Sequence, residues 1–272
     1  MRPRDRHQRI LELVTKNGNV DAEALAEELA VSAITVRRDL AKLEADGALR
    51  RVYRGATRIN SGSYEPPFPV RSKLQVRAKR QIATTVRNLV DDGQTVILDA
   101  GTTGLVIAEQ LTDRHITICT PSVRVAAALV SSSSVRLIMT GGIVRPVEQS
   151  LVGPAAIRML EDHHFDLYIM TASGVHIDHG FSEWNPEDAE LKRAALRVSS
   201  RCIVACDASK IGHTAFARVC DLEAVEMLVT DDAVSDEQRL AFEAKGLKMC
   251  IASADASSAP AMQVSEYTEG DS

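Results

Sequence analysis

Apolar positions in the first sixty residues recur at helical spacing, in three short sets separated by turn-forming residues. Ile10, Leu11 and Val14 form the first set, and Gly18 stops the helix they predict. Asp21 is placed to cap a second helix whose apolar face is Ala22, Leu25, Ala26 and Leu29. The link Ala30-Val31 leads to Ser32, the N-cap of a third helix ending at Gly47. Val36, Leu40 and Leu43, spaced i, i+4, i+7, give that helix one inward stripe. At about 100° per residue, its outward side carries Ile34, Thr35, Arg37, Arg38 and Lys42. Leu49 to Tyr53 and Ala56 to Ile59 then read as two short strands around Arg54-Gly55. This hairpin holds Arg50, Arg51, Arg54 and Arg58 and no acid.

Beyond this point the pattern changes. "NSGSYEPPFPVR", Asn60 to Arg71, reads as a linker because of its prolines, glycine and serines. A helix is expected from about Leu74, with Ala78, Ile82, Val86 and Leu89 inward, ended near Asp91. Apolar runs then alternate with helical stretches. The candidate strands are Thr95–Leu98, Ile116–Cys119, Val135–Met139, Leu167–Thr171, Cys202–Cys206, Met227–Thr230 and Lys248–Ile251. Asn185-Pro186-Glu187 is a helix start, and Ser235 with Gln238 has capping-box spacing. Such alternation predicts an α/β fold with a mostly parallel sheet covered on both faces. The expected division is 1–59, a linker 60–73, an α/β domain 74–251, and a tail 252–272 whose composition reads as disordered.

Charge sharpens this division. The chain has 272 residues and a formal net charge of -5, yet residues 1–60 hold 12 Lys+Arg against 9 Asp+Glu, a net +3 that leaves -8 for the rest. A basic module on an acidic body suits nucleic acid. No apolar run approaches the ~18 residues of a membrane helix, and the basic N-terminus lacks an apolar signal core, so a cytoplasmic location without membrane contact is expected. Five cysteines do not suggest a disulfide framework. Cys202 and Cys206 fall on one face of a strand as buried apolar-like groups, with metal binding as the alternative. The pairs His163-His164 and His176/His179 lack zinc-site spacing with a third ligand and read as solvated loops, so neither metal nor cofactor is expected.

A helix-turn-helix whose second helix presents Ile34, Thr35, Arg37, Arg38 and Lys42 is suited to a major groove. Arginine can fork onto guanine, and a short apolar group can meet a thymine methyl. An arginine hairpin beside it is a wing for phosphates or the minor groove. The competing reading is a solvated charged face. "SAITVRRDLAKLEADGALRRVYRGA" resembles the N-terminal signature of the DeoR family of bacterial sugar-responsive regulators. Ser32, Thr35, Val36, Arg37, Arg38, Asp39 and Leu40 match its pattern, while Arg54 stands where that family usually has glycine. The resemblance implies a winged helix-turn-helix that binds double-stranded operator DNA.

Ligands of open α/β sheets sit at the carboxyl ends of the strands. Here those ends carry "LDAGTTG" (Asp99, Gly101, Thr102, Thr103), "CTPS" (Ser122), "TGGIVRP" (Gly142, Arg145) and "CDASK" (Asp207, Ser209, Lys210). Glycines, hydroxyls and cations recurring at several strand ends suit a small anionic polyol. The same loops resemble the family's effector domain, which is similar to the ribose-5-phosphate isomerase and glucosamine-6-phosphate deaminase fold. By that resemblance Gly101, Thr102, Thr103 and Lys210 would contact a phosphorylated sugar, with Asp99, Ser122, Gly142, Arg145 and Glu183 as further candidates. Trp184 would either shape the sugar end or pack in the core. The expected function is a sequence-specific regulator, a repressor released by a sugar phosphate, acting as a homo-oligomer (dimer or tetramer). The alternative is a sugar-phosphate isomerase or deaminase with an accessory DNA module, using Asp99, Glu183 or Asp207 as base.

Overall fold

The computed structural model describes residues 1–57, 59 and 63–252. The N-terminal helices are α1 (Pro3–Asn17), α2 (Ala22–Glu28) and α3 (Ala33–Ala45), with β1 (Asn19–Asp21) between the first two. Helices α2 and α3 start where the sequence supplies a cap. Asp21 accepts from the amides of Glu23 and Ala24, and Ser32 accepts from that of Thr35. Ile10, Leu25, Leu29, Val36, Leu40 and Leu43 close one small core.

The hairpin consists of β2 (Arg50–Val52) and β3 (Gly55–Thr57), so its turn lies at Tyr53-Arg54, one residue earlier than the sequence suggests. The reason is β1, which escaped the sequence reading and pairs with β3 to make a three-stranded sheet. Gly55 lies flat against it, where a Cβ would meet the Val20 carbonyl oxygen at 1.9 Å. The turn's left-handed conformation falls on Arg54, at φ 74°. Arg58 and the tail from 253 onward lie outside the described residues.

The segment expected to be a plain linker is structured at its end. A short helix, α4 (Phe68–Arg71), buries Phe68 and Val70. The larger domain follows with α5 (Val76–Arg87), β4 (Thr95–Leu98), α6 (Gly101–Gln110), β5 (Thr117–Thr120), α7 (Val123–Leu129), β6 (Arg136–Met139), β7 (Ile143–Val144) and β8 (Leu151–Val152). It continues through α8 (Pro154–Glu161), β9 (Phe165–Met170), β10 (Gly174–His176), β11 (Gly180–Glu183), α9 (Pro186–Arg197), β12 (Ser199–Ala205) and β13 (Ala217–Cys220). It closes with β14 (Met227–Asp231), α10 (Asp236–Ala244) and β15 (Lys248–Ala252).

Seven strands form one sheet in the order β15-β14-β12-β9-β4-β5-β6, and every pairing in it is parallel. These are the seven runs picked out by apolar periodicity. Helices α5, α6 and α7 cover one face and α8, α9 and α10 the other, each over its own apolar cluster. Strand order reverses between β4 and β9. At such a switch point the following loops diverge to opposite faces and leave a crevice.

Candidate functional site

On α3 the inward stripe is buried and the outward set faces solvent. Val36 and Leu40 are at most 1% exposed, whereas Ile34 is 74% exposed. Arg37, Arg38, Lys42, Arg50, Arg51 and Arg54 are all exposed. Thr35 is half-buried, and its hydroxyl shares a 2.9 Å hydrogen bond with that of Ser32. Several of these cations have loose acidic neighbours: Arg37 with Glu23 at 3.9 Å, Lys42 with Asp46 at 3.8 Å, Arg54 with Asp21 at 3.7 Å. Exposed pairs of this length contribute little and yield readily to phosphate. Arg38 and Arg50 enter no ion pair among the described residues. Asp39, within the same motif, has a different job. It is buried and accepts from Arg6 at 3.1 Å and His7 at 2.8 Å, tying α3 to α1. Burial raises its pKa, but the hydrogen bonds from Arg6 and His7 outweigh that and hold it below the ordinary carboxylate value.

The β4/β9 crevice opens into a cavity of about 490 Å³, within the range of small-molecule sites. Its floor is a buried ionic cluster. Lys192, from α9, donates to Asp99 at 2.7 Å, to the Thr171 carbonyl at 2.7 Å and to Glu183 at 2.8 Å. Asp99 also accepts from the Thr171 amide at 2.9 Å and the Ala100 amide at 2.8 Å. Glu183 accepts from the Ser173 hydroxyl and, at 2.9 Å, from the Trp184 amide. Burial alone would discharge such groups. Instead the two carboxylates hold Lys192 above the ordinary lysine value, and Lys192 outweighs burial to hold Glu183 below the ordinary glutamate value.

One wall is the start of α6, where Ala100 offers no side-chain cap and Gly101, Thr102 and Thr103 line the space. Asp207, Ser209 and Lys210 line the same space from the loop after β12. The Lys210 ammonium lies 4.8 Å from the centre of the half-buried Trp184 ring, and Arg71 lies 5.2 Å from the same ring. Trp184 therefore belongs to the cavity wall.

Around residues 65–71 lies a chain of alternating charges. Asp188 pairs with Arg145, Arg145 with Glu65 at 2.7 Å, Glu65 with Arg71 at 3.1 Å, and Arg71 with Glu148. Burial pushes Glu148 up to about 7, against Arg71, and Asp188 up to about 6, against Arg145.

Of the nine positions nominated from sequence, Asp99, Gly101, Thr102, Thr103, Glu183 and Lys210 line this cavity. Ser122, Gly142 and Arg145 do not. The Ser122 hydroxyl caps α7, accepting from the Val125 amide at 3.2 Å. Gly142 is where the chain passes β8, and a Cβ there would meet the Val152 carbonyl oxygen at 2.5 Å. Arg145 stands behind Glu65 and Asp188 as their counter-ion. Sequence reasoning missed Lys192, Lys79, Arg71, Glu148 and Asp188. Lys192 left one signal: it is three residues from both Ala189 and Ala195, a cation on the buried stripe of α9.

An exposed recognition helix and basic wing joined to a polar cavity are the parts of a DNA-binding transcriptional regulator with a sensor domain. Residues 6–62 match the DeoR-like helix-turn-helix domain and residues 74–232 the DeoR C terminal sensor domain, and the chain belongs to this family. It is 31% identical to the putative aga operon transcriptional repressor of Escherichia coli O157:H7, over 91% of this chain and 93% of that one. It is 30% identical to the glycerol-3-phosphate regulon repressor of Escherichia coli K12, over 85% of this chain and 92% of that one. Among solved structures, ribose 5-phosphate isomerase A of Methanocaldococcus jannaschii superposes on 49% of this chain and 53% of its own, at 14% identity and a TM-score of 0.37. No helix among the described residues is long and apolar enough to cross a membrane.

Proposed function

We propose that this chain is a repressor of carbohydrate-metabolism genes that leaves its operator when a phosphorylated sugar fills the β4/β9 cavity. Residues 1–59 bind DNA, residues 60–73 connect, and residues 74–251 sense the ligand and hold two or four copies together. Ser32, Ile34, Thr35, Arg37, Arg38 and Lys42 form the groove-reading set, and Arg50, Arg51, Arg54 and Arg58 the wing contacts. One observation carries the ligand assignment: a single cavity is lined by the uncapped start of α6 together with Lys210, and by carboxylate hydrogen-bond acceptors. The first pairing suits a phosphate, through free helix amides and a cation. The carboxylates accept from sugar hydroxyls. A relative named for the glycerol-3-phosphate regulon supports a small phosphorylated polyol. Asp99 and Glu183 are already engaged by Lys192, which argues against their use as a base. Paired half-sites favour an oligomer, because a lone winged helix buries little surface.

The test is thermal-shift screening of the full chain against phosphorylated sugars, followed by operator gel shifts with each binder. A true effector at one hundred times its Kd adds about 2.7 kcal/mol of stability and releases the DNA. Turnover of the sugar phosphate, or binding without any change in DNA affinity, contradicts the proposal.

A further inference from the structure

The segment 64–74 touches both candidate sites at once. Toward the DNA-binding domain, the Tyr64 hydroxyl donates to the carbonyl of Gly47, just past the end of α3, while Val70 and Leu74 pack into that domain's core. Toward the cavity, Arg71 lies over Trp184 and pairs with Glu148. The segment is thus a strap between the end of the recognition helix and the wall of the pocket.

One buried cation grips this strap by its main chain. Lys79, on α5, is 4% exposed, lines the cavity, and donates to the carbonyls of Arg71 at 2.6 Å and Leu74 at 2.7 Å. An ammonium has three protons, and among the described residues these two carbonyls are its hydrogen-bond partners. The charged groups facing it are Asp207, Lys210 and Arg71. Burial depresses its pKa to about 8, Asp207 opposes that, and Lys210 and Arg71 add to it. An anion arriving beside Lys210 adds negative charge near Lys79 and favours its fully protonated, three-donor form.

We infer that Lys79 relays ligand occupancy to the DNA-binding domain: it meets the effector's anionic group with its third proton while holding the strap through the Arg71 and Leu74 carbonyls. A ligand shifts an equilibrium only through contacts that differ between its states. A donor shared between ligand and strap supplies such a contact, since occupancy changes how firmly the end of α3 is anchored. The inference rests on the cavity being the sugar-phosphate site, and the experiment separates the two.

The full-length protein is titrated with inorganic phosphate and a panel of pentose and hexose phosphates. The fluorescence of Trp184, the single tryptophan of the chain, reports occupancy. Operator anisotropy, with and without saturating ligand, gives each protein a coupling factor measured against itself. Calorimetry at pH 8.5 in buffers of different ionisation enthalpy counts protons taken up. The expected result is uptake of more than half a proton by the wild type, lost in Lys79→Met together with at least a tenfold fall in coupling factor, and partial rescue of coupling in Lys79→Arg. If Lys79→Met does not fold, the wild-type proton count decides alone. Ligand-driven release with no proton uptake, or with full coupling in Lys79→Met, overturns the relay and leaves the sugar-phosphate assignment standing. No response of Trp184 or of operator affinity to any phosphorylated compound overturns both.

Discussion

Replacing Lys192 by methionine keeps most of the side chain's volume and removes one charge from the cavity floor. Lys192 is 5% exposed, and its partners Asp99 and Glu183 are 4% and 8% exposed. Deleting one member of a buried pair typically costs about 3–5 kcal/mol, because the remaining charge is left without compensation. Here two carboxylates lose the same cation, which doubles the exposure to that penalty. Each keeps other donors, however: Thr171 and Ala100 for Asp99, Ser173 and Trp184 for Glu183. The expected loss for Lys192→Met therefore stays near about 3–5 kcal/mol, a large share of the ~5–15 kcal/mol typical of a folded domain. Urea unfolding followed by Trp184 fluorescence at pH 7.5 measures it directly. The pH dependence supplies the stronger check. In the wild type the folded pKa of Glu183 is depressed, so its contribution is complete above the unfolded value near 4.5 and is lost only as pH falls through the lower folded value. In Lys192→Met, burial acts without the cation and raises the folded pKa above the unfolded one. The folded state then binds more protons than the unfolded state above pH 4.5, and stability rises as pH falls. The gap between the two proteins should narrow between pH 7.5 and 5.5, and adding Glu183→Gln should narrow it at pH 7.5. A variant within 1 kcal/mol of wild type at pH 7.5, or a gap that does not change with pH, refutes the reasoning.

Arg38→Ala should weaken operator binding by about 1–3 kcal/mol and relax preference at one base pair, measured by binding to a set of single-base operator variants; equal loss on every sequence would make Arg38 a phosphate contact instead. Arg54→Gly relieves a left-handed backbone position costing about 1–2 kcal/mol, against ~0.4–1 kcal/mol of added unfolded-state entropy. A net gain of about 0.5–1 kcal/mol in unfolding free energy should therefore accompany weaker DNA binding with a salt slope about one unit shallower; a loss of stability would contradict the strain argument. Lys210→Ala should lower effector affinity tenfold to a hundredfold, the equivalent of about 1.5–3 kcal/mol for one charge-assisted bond. Effector titrations of the gel shift test this, and an unchanged response removes Lys210 from the site.

The large sheet was legible because its central strands are buried on both faces. Runs such as "VIL" and "CIVA" are apolar throughout, and central parallel strands require that. The caps at Asp21, Ser32, Asn185 and Ser235 were legible because a cap is a local interaction among residues at most three apart. What escaped depends on distant partners. Strand β1 has three residues and exists because β3, more than thirty residues later, pairs with it. Segments β10, β11 and β13 are short and pair among themselves away from the main sheet. The strap reads as a linker because its prolines and glutamate carry no periodicity. Its order comes from Arg145, Glu148 and Lys79, at sequence distances no local pattern reports. The site divided along the same line. Loop residues at strand ends could be nominated from glycine and hydroxyl content, while the charged residues that hold the loops in place look like surface positions in a one-dimensional reading.

The two ionic systems around the cavity differ in a way that bears on signalling. On the floor, Lys192 outweighs the burial of Glu183 and keeps it ionised, and the same cluster ties the ends of β4 and β9 to α9. Changing that arrangement means leaving buried charge unpaired, so the floor resists rearrangement. Around the strap, Glu148 and Asp188 are pushed up to about 7 and 6, and the alternating chain from Asp188 to Glu148 holds three carboxylates for two guanidinium groups. One negative charge more than the cations neutralise leaves that chain easily redistributed by a proton or a ligand. Two of its five members, Glu65 and Arg71, belong to the strap. A ligand bridging the floor and the strap would therefore meet a stiff surface on one side and a soft one on the other. Under the proposed function, rearrangement on ligand binding would fall on the soft side, where the strap leads to Gly47 and the end of α3.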